Sequence, residues 1–161
     1  MNKKNLEQNL LIVLCIFLFD RISKIYVIYL DKKSFNVDLF SSKFLDIHLI
    51  WNEGIAFGLF SFDHVSMYNS LTIFIVIIIL FIFLMLKHSE GLKRYSLIMI
   101  LGGAMGNVFD RIIYKGVPDF IDFHINNFHW FIFNIADIFI TIGVIFVISL
   151  EFMNINNKKK S

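Results

Sequence analysis

The sequence predicts an all-α membrane protein with four transmembrane helices and a small extracytoplasmic β-sheet. Of its 161 residues 57% are hydrophobic, and the mean hydropathy of +0.70 is far above that of a soluble protein. Four apolar segments recur along the chain, and each is long enough to cross a bilayer core: residues 10–30, 67–86, 95–113 and 130–152. The polar segments 31–66 and 114–129 separate them. We therefore expect a single integral-membrane domain over residues 1–161 with two outer segments.

The first apolar segment has two interpretations, a cleaved signal peptide or a spanning helix with a polar second half. Asp20, Arg21 and Lys24 interrupt its apolar run. No pair of small residues typical of a cleavage site follows it, which favours the helix. At 1.5 Å per residue, residues 10–30 would extend roughly 30 Å, and Asp20 and Lys24, one turn apart, can form an ion pair.

The outer segment that follows contains the clearest β signal in the chain. From Leu45 to Trp51, apolar residues alternate with polar ones, which is the period-two pattern of a half-buried strand. The strand leads into Asn52-Glu53-Gly54-Ile55-Ala56-Phe57-Gly58, where glycines allow close approach of the backbone. A small sheet is expected here, with a turn after it.

Basic residues predict the orientation of the helices. The N-terminus, the 87–94 loop and the C-terminus hold eight basic residues, whereas the 31–66 and 114–129 segments hold four. The positive-inside rule therefore places both termini in the cytoplasm. Gly102 and Gly106 have the spacing of a close helix–helix contact in the third span.

This topology brings polar residues from several spans to one depth, near the outer interface. The first and third helices run outward and are polar towards their ends, whereas the fourth runs inward and is polar at its start. Ionisable side chains are costly at membrane depth, so such a cluster indicates a functional site. Its members are Asp20, Lys24, Asn107, Asp110, Arg111, Asp119, Asn134 and Asp137.

Within this set, Asp119 and Asp137 lack an obvious basic partner. Two carboxylates held close together in a low dielectric share one proton, which is the state that an acid–base pair needs to activate water. For the other residues of the set, purely structural roles remain as alternative interpretations. Asn107, Asn134 and Thr141 could be interhelical hydrogen-bonding groups, and Asp110 and Arg111 could form structural ion pairs with Asp20 and Lys24.

Several other classes of function find no support in the sequence. The only cysteine, Cys15, cannot form an intramolecular disulfide, and a net charge of +2 does not indicate a nucleic-acid partner. The five histidines show no ligand spacing on a common helix face, so no metal site is expected. No serine stands in a convincing arrangement with a helical lysine or histidine.

Five blocks in this order make the chain resemble the lipoprotein signal peptidases, the bacterial type II signal peptidases, over nearly its whole length. The blocks are Asp20-Arg21-Ile22-Ser23-Lys24, Asn52-Glu53-Gly54-Ile55-Ala56-Phe57, Gly102-Gly103 with Gly106-Asn107 and Asp110-Arg111, Val117-Pro118-Asp119-Phe120, and Phe133-Asn134-Ile135-Ala136-Asp137.

The resemblance implies an intramembrane aspartyl endopeptidase of the bacterial cytoplasmic (inner) membrane. It would remove signal peptides from diacylglyceryl-modified prolipoproteins, cutting before the lipidated cysteine, without metal or other cofactor. The family's catalytic aspartates match Asp119 and Asp137. Membrane lipid and the inhibitor globomycin would be further partners. The matching supporting residues are Asn52, Gly54, Asn107, Asp110, Arg111, Asn134, Asp20 and Lys24.

Three alternatives remain open at this point. Asp122 is a rival carboxylate in the same loop as Asp119, and Pro118 replaces the small apolar residue expected before the loop aspartate. A small proton-coupled transporter subunit would also carry aspartates within spans. A non-catalytic assembly factor would tolerate neutral replacements at Asp119 and Asp137.

Overall fold

Four long helices make up most of the structure, a computed structural model that describes residues 3–34, 39–54, 65–126 and 128–158. Their bounds are α1 Lys3–Ser34, α2 Val65–Leu86, α3 Gly91–Tyr114 and α4 Ile135–Lys158. Three of them contain segments long and apolar enough to cross a membrane, namely Tyr68–Leu86, Gly91–Tyr114 and Ile135–Asn154.

The first helix differs from the other three. With 32 residues α1 would be about 48 Å long, which is ample for a bilayer. Its apolar run is interrupted by Asp20, Arg21 and Lys24, and α1 is not among the three apolar spans. A fourth span therefore stays a prediction.

Among the described residues, four strands form an antiparallel sheet beside the helices. The strands are β1 Phe40–Ser41, β2 Leu45–Asn52, β3 Val117–Ile125 and β4 Phe128–Phe133, in the spatial order β1-β2-β3-β4. The β2 strand confirms the strand that was predicted between Leu45 and Trp51, although the exposure of its side chains does not alternate. The Ile55–Gly58 part of the predicted turn lies outside the described residues.

The boundary of the fourth helix was predicted wrongly. The sequence suggested a span over 130–152 and a loop over 114–129, whereas β3 and β4 form a hairpin over these residues and α4 begins at Ile135. The aromatic and β-branched residues of β4 favour a strand, but they run without a break into the apolar residues of α4. Hydrophobicity alone therefore could not separate the two.

The third helix is the centre of the bundle and contacts α1, α2 and α4. Glycines permit this close approach: a Cβ on Gly102 would lie 2.8 Å from Ile16 Cβ of α1, and one on Gly103 would lie 2.5 Å from the carbonyl oxygen of Ala136 in α4. An apolar core joins α1, α2 and α3 through Val13, Ile16, Ile82, Leu86, Leu97, Ile98 and Leu101.

The outward faces of the helices are apolar as well. Only 6% of the Tyr68–Leu86 span and 11% of the Ile135–Asn154 span are buried, against 67% for Gly91–Tyr114. Large side chains such as Phe81 and Phe152 are more than half exposed. An apolar surface of this extent is suited to lipid, and the protein is a membrane protein.

Candidate active site

A cleft between the sheet and the bundle contains both of the aspartates that were predicted to act as a pair. Asp119 is the third residue of β3, and Asp137 lies in the first turn of α4. The cleft has a volume of about 220 Å³. Its polar lining consists of Asn52, Asn107, Arg111, Asp119, Asp137 and Thr141.

The start of α4 fixes the position of Asp137. The backbone N–H of Asn134 donates to Asp137 Oδ2 at 3.1 Å, and the backbone N–H of Asp137 donates to Asn134 Oδ1 at 3.1 Å. This reciprocal pairing, three residues apart, is a capping box, which satisfies two backbone donors at a helix N-terminus. The same bonds that begin the helix thus orient the Asp137 carboxylate, and its Oδ1 accepts from Asn107 Nδ2 at 2.8 Å.

Two amides hold Asp119, which is only 3% exposed. Asn134 Nδ2 donates to Asp119 Oδ1 at 2.6 Å, and Asn52 Nδ2 donates to Asp119 Oδ2 at 2.9 Å. Burial, followed by the nearby Asp137 carboxylate, raises the pKa of Asp119 to about 7, and the bonds from Asn52 and Asn134 oppose that rise. Asp119 is therefore suited to carry a proton near neutral pH.

Asn107 of α3 connects this pair to a charged cluster. Its Nδ2 donates to Asp137, whereas its Oδ1 accepts from Asn134 Nδ2 at 3.2 Å and from Lys24 Nζ at 2.9 Å. The Lys24 ammonium is fully buried and also donates to Asp20 Oδ2 at 2.9 Å and Asp110 Oδ2 at 2.8 Å. All three of its protons have acceptors, and the ion pair with Asp20 that the sequence predicted is present.

The charged cluster is neutral overall. Besides Lys24, Arg21 binds Asp110 through two nitrogens, with NH1 2.5 Å from Oδ1 and NH2 2.7 Å from Oδ2. Asp20 and Asp110 balance Arg21 and Lys24, and all four residues are at most 6% exposed. Buried charges of this kind persist only when they are paired and hydrogen-bonded.

Asp20 also stabilises the helix that carries Asp137. Its Oδ1 accepts the backbone N–H of Ala136, in the first turn of α4, at 3.0 Å. A carboxylate at a helix N-terminus is favourable because unpaired N–H groups and the helix dipole meet there. Gly106 of α3 makes room for this contact, since a Cβ at that position would lie 2.5 Å from Asp20 Oδ2.

Arg111 holds the turn after β2 on the other side of the cleft. Its NH2 donates to the carbonyl oxygen of Gly54 at 2.8 Å, and the Gly54 N–H donates to Asn52 Oδ1 at 2.9 Å. Arg111 thereby positions the amide that donates to Asp119. Of the ion pairs considered for Asp110 and Arg111, the one between Asp110 and Lys24 forms, at 2.8 Å. Among the described residues Arg111 forms no ion pair with Asp20, whose carboxylate is bound by Lys24, Arg21 and the Ala136 N–H.

Five of the ten site residues that the sequence predicted line this cleft: Asn52, Asn107, Arg111, Asp119 and Asp137. The other five are connected to them by hydrogen bonds: Asp20, Lys24, Gly54, Asp110 and Asn134. Asp122, the rival carboxylate, instead contacts His129 Nδ1 at 2.7 Å and does not line the cleft. Sequence reasoning missed the role of Arg21, although the residue stands within the Asp20–Lys24 block. Its charge, in the middle of an apolar run, was the signal that could have identified it.

Comparisons with known proteins agree with this architecture. A family model described as Signal peptidase (SPase) II matches residues 12–153. Proteins named lipoprotein signal peptidase are 51% identical over 158 residues in Pelagibacter ubique (98% of this chain, 95% of the relative) and 38% identical over 136 residues in Anaplasma phagocytophilum (82% and 83%).

A solved structure shares the fold. The match is to a bacterial membrane enzyme solved in meso at 2.3 Å resolution, with a TM-score of 0.73 and 28% identity, covering 96% of this chain and 93% of that one. These findings establish the class of the protein, which is an aspartic peptidase of the membrane. More specifically, the chain belongs to the signal peptidase II family.

Proposed function

We propose that this protein removes signal peptides from diacylglyceryl-modified prolipoproteins, cutting before the lipidated cysteine, and that Asp119 and Asp137 perform the hydrolysis. The observation that carries the assignment is the shared cleft, in which two carboxylates from different elements are held by amides rather than by cations. A bound cation would keep both carboxylates ionised. Amide donors instead let the pair retain one proton.

The chemistry needs one ionised and one protonated carboxyl group. The ionised aspartate takes a proton from water as the oxygen attacks the scissile carbonyl, and the protonated one donates to the carbonyl oxygen or to the leaving amine. The two groups exchange roles as the amide bond breaks. Asp119, whose pKa is raised to about 7, is the natural proton carrier at the start of the cycle.

The shape of the cleft supports a substrate that is part peptide and part lipid. Besides its polar groups, the cleft is lined by the apolar residues Phe131, Phe133 and Ile140. An adjoining groove of about 190 Å³ shares Phe131 and Phe133 with the cleft and is also lined by Ile138 and Ile142 of α4. A peptide backbone would meet the amides, while acyl chains on the cysteine would follow the apolar groove towards membrane lipid.

The proposed location is the cytoplasmic membrane of a bacterium, with α1 as a fourth span and both termini in the cytoplasm. The distribution of basic residues supports this orientation. The sheet and the catalytic cleft then lie at the outer face. Trp130 of β4 is 67% exposed, as suits an aromatic residue at a membrane interface.

A proton-relay role is less well supported. Among the described residues, the buried charged side chains cluster at one end of the bundle, at positions 20–24, 110, 111 and 119–122. Farther along, the bundle core is formed by apolar residues such as Val13, Leu97 and Leu101. A relay needs ionisable groups along the whole path across the membrane.

The test is a cleavage assay with detergent-purified protein and two forms of one prolipoprotein, with and without the diacylglyceryl group. We expect cleavage of the modified form, inhibition by globomycin bound in the cleft, and little or no cleavage of the unmodified form. Equal cleavage of both forms would contradict the proposed lipid recognition. No cleavage of either form, under conditions where a control peptidase works, would favour the proton-relay alternative.

A further inference from the structure

The β3–β4 hairpin brings three potential metal ligands together on the side of β3 away from the cleft. His124 and His129 are direct partners across the two strands, and Asp122 precedes them in β3. One donor atom from each of the three lies within 4.8 Å of the other two. Because Asp119 and Asp122 are three positions apart in a strand, their side chains leave on opposite faces.

Ordinary hydrogen bonding does not account for this cluster. Asp122 is 1% exposed, and only its Oδ2 is engaged, by His129 Nδ1 at 2.7 Å. Within the described part of the chain, the buried Asp122 Oδ1 and His124 Nδ1 have no hydrogen-bond partner. Buried polar atoms are rarely left unpaired, so these two call for a group that would satisfy them.

The charge of the surroundings indicates a cation. Asp46, the cross-strand partner of Asp122, has its Oδ2 3.5 Å from His124 Nδ1. This contact adds a second carboxylate to the cluster. A divalent cation would balance the charges of the Asp46 and Asp122 carboxylates.

We propose that Asp122, His124 and His129 bind a divalent transition metal of the Zn²⁺ type. Two imidazoles and one carboxylate are a donor set that zinc uses with a water in the fourth position. Donors on one tetrahedral zinc lie about 3.3 Å apart, given bonds of about 2.0–2.1 Å, so the three donors, which lie within 4.8 Å of one another, must adjust their separations when the ion binds. The His129 side chain is 54% exposed, which leaves it free to reorient and gives the ion access from solvent.

The ion would cross-link β3 to β4 near their shared turn and fix the strand that carries Asp119. It takes no part in the peptidase chemistry, so this proposal is independent of the proposed function. The sequence argument against a metal applied helical spacing to the histidines. That rule does not apply to a hairpin, where His124 and His129, five residues apart, become neighbours.

The experiment measures Zn²⁺ binding by calorimetry on the full chain, with any affinity tag removed, and follows the visible spectrum with Co²⁺ in place of zinc. The variants are His124→Phe and His129→Gln. The matched control is His88→Ala, at an exposed histidine in the α2–α3 turn. Thermal unfolding in detergent without metal verifies that each variant folds.

We expect one Zn²⁺ per chain, a tetrahedral Co²⁺ spectrum, an unfolding temperature that rises with Zn²⁺, and unchanged binding in His88→Ala. Each site variant should weaken zinc binding at least tenfold and lose the Co²⁺ spectrum. The proposal is overturned if the wild type binds no more zinc than His129→Gln. It is equally overturned if His88→Ala is the variant that loses binding.

Discussion

At the scale of single residues, the acid–base behaviour of Asp119 is set by opposing effects. Burial and the Asp137 carboxylate raise its pKa to about 7, whereas the Asn52 and Asn134 amides favour its ionised form. Above that pH Asp119 loses its proton and no longer has one to donate to the leaving group. We therefore predict that kcat/KM falls as the pH is raised through about 7, measured as a pH profile of prolipoprotein cleavage.

Asn52→Ala tests the cause of this alkaline limb. Removal of the Asn52 donor, which lies 2.9 Å from Asp119 Oδ2, destabilises the ionised carboxylate. A hydrogen bond to a charged group is worth about 1.5–3 kcal/mol, so the limb should move to higher pH by about 1 unit or more. A purely structural role for Asn52 would lower the whole profile without moving it, and an unmoved limb would contradict our interpretation.

Most functional residues could be predicted one by one, because an ionisable side chain within an apolar segment seldom has a purely structural role. The ion pair between Asp20 and Lys24 was predictable as well, because these residues lie one helical turn apart. The contacts of the two arginines were not: Arg21 binds Asp110 of α3, and Arg111 binds the Gly54 carbonyl after β2. Both contacts depend on how separate elements pack together, which no spacing within one helix encodes.

At the scale of elements, the contact between α3 and the start of α4 depends on Gly106. A methyl group there would lie 2.5 Å from Asp20 Oδ2, and this carboxylate is held by Lys24 and by the Ala136 N–H. We predict that Gly106→Ala destabilises the protein by about 1–3 kcal/mol despite the better helix propensity of alanine. Thermal unfolding in detergent measures the change.

Gly116→Ala is the matched control for that substitution. The nearest atom to a Cβ at Gly116 is Trp51 Cε3 at 3.5 Å, which is an ordinary contact. Its effect should stay within about 0.5 kcal/mol. If the two variants unfold alike, Gly106 does not make the space that we assign to it.

The charged cluster between α1 and α3 permits a second test at this scale. Lys24→Met leaves Asp20 and Asp110 with Arg21 alone, an uncompensated buried charge that should cost about 3–5 kcal/mol of unfolding free energy. Lys93→Met, which breaks the exposed pair with Glu151, should cost under about 1 kcal/mol. If both variants lost a similar amount of unfolding free energy, burial would not be what determines how strongly an ion pair stabilises this protein.

The elements themselves were partly predictable. Strand alternation between Leu45 and Trp51 and the long apolar helices follow from local periodicity. The β4 strand was missed because its apolar residues adjoin those of α4. Asn134 and Asp137, spaced as in a capping box, marked the true start of the helix and were interpreted only as site residues.

At the scale of the whole molecule, the proposed orientation places the sheet outside and the α2–α3 turn inside. We predict that, in a Cys15→Ala background, Lys43→Cys in the β1–β2 turn reacts with an impermeant maleimide on intact spheroplasts. His88→Cys should react only after the membrane is permeabilised. The reverse labelling pattern would overturn the assignment of both termini to the cytoplasm.

The convergence of residues from α1, α3, β3 and α4 was predictable at this scale, because apolar spans and basic loops fix which ends of the helices meet. At its centre, Asp119 and Asp137 are proposed to perform the hydrolysis as a carboxylate pair. The most direct measurement is cleavage of diacylglyceryl-modified prolipoprotein by Asp119→Asn and Asp137→Asn, with Glu151→Gln as a carboxylate-to-amide control outside the site.

Each site substitution keeps the shape of the side chain and removes its acid–base function. Both variants should fold and lose activity by at least about 10³-fold, as expected when a catalytic acid or base is removed, whereas Glu151→Gln should cleave like the wild type. Retained activity in Asp119→Asn, together with its loss in Asp122→Asn, would show that the loop carboxylate has been wrongly assigned. Retained activity in both Asp119→Asn and Asp137→Asn would contradict the account as a whole.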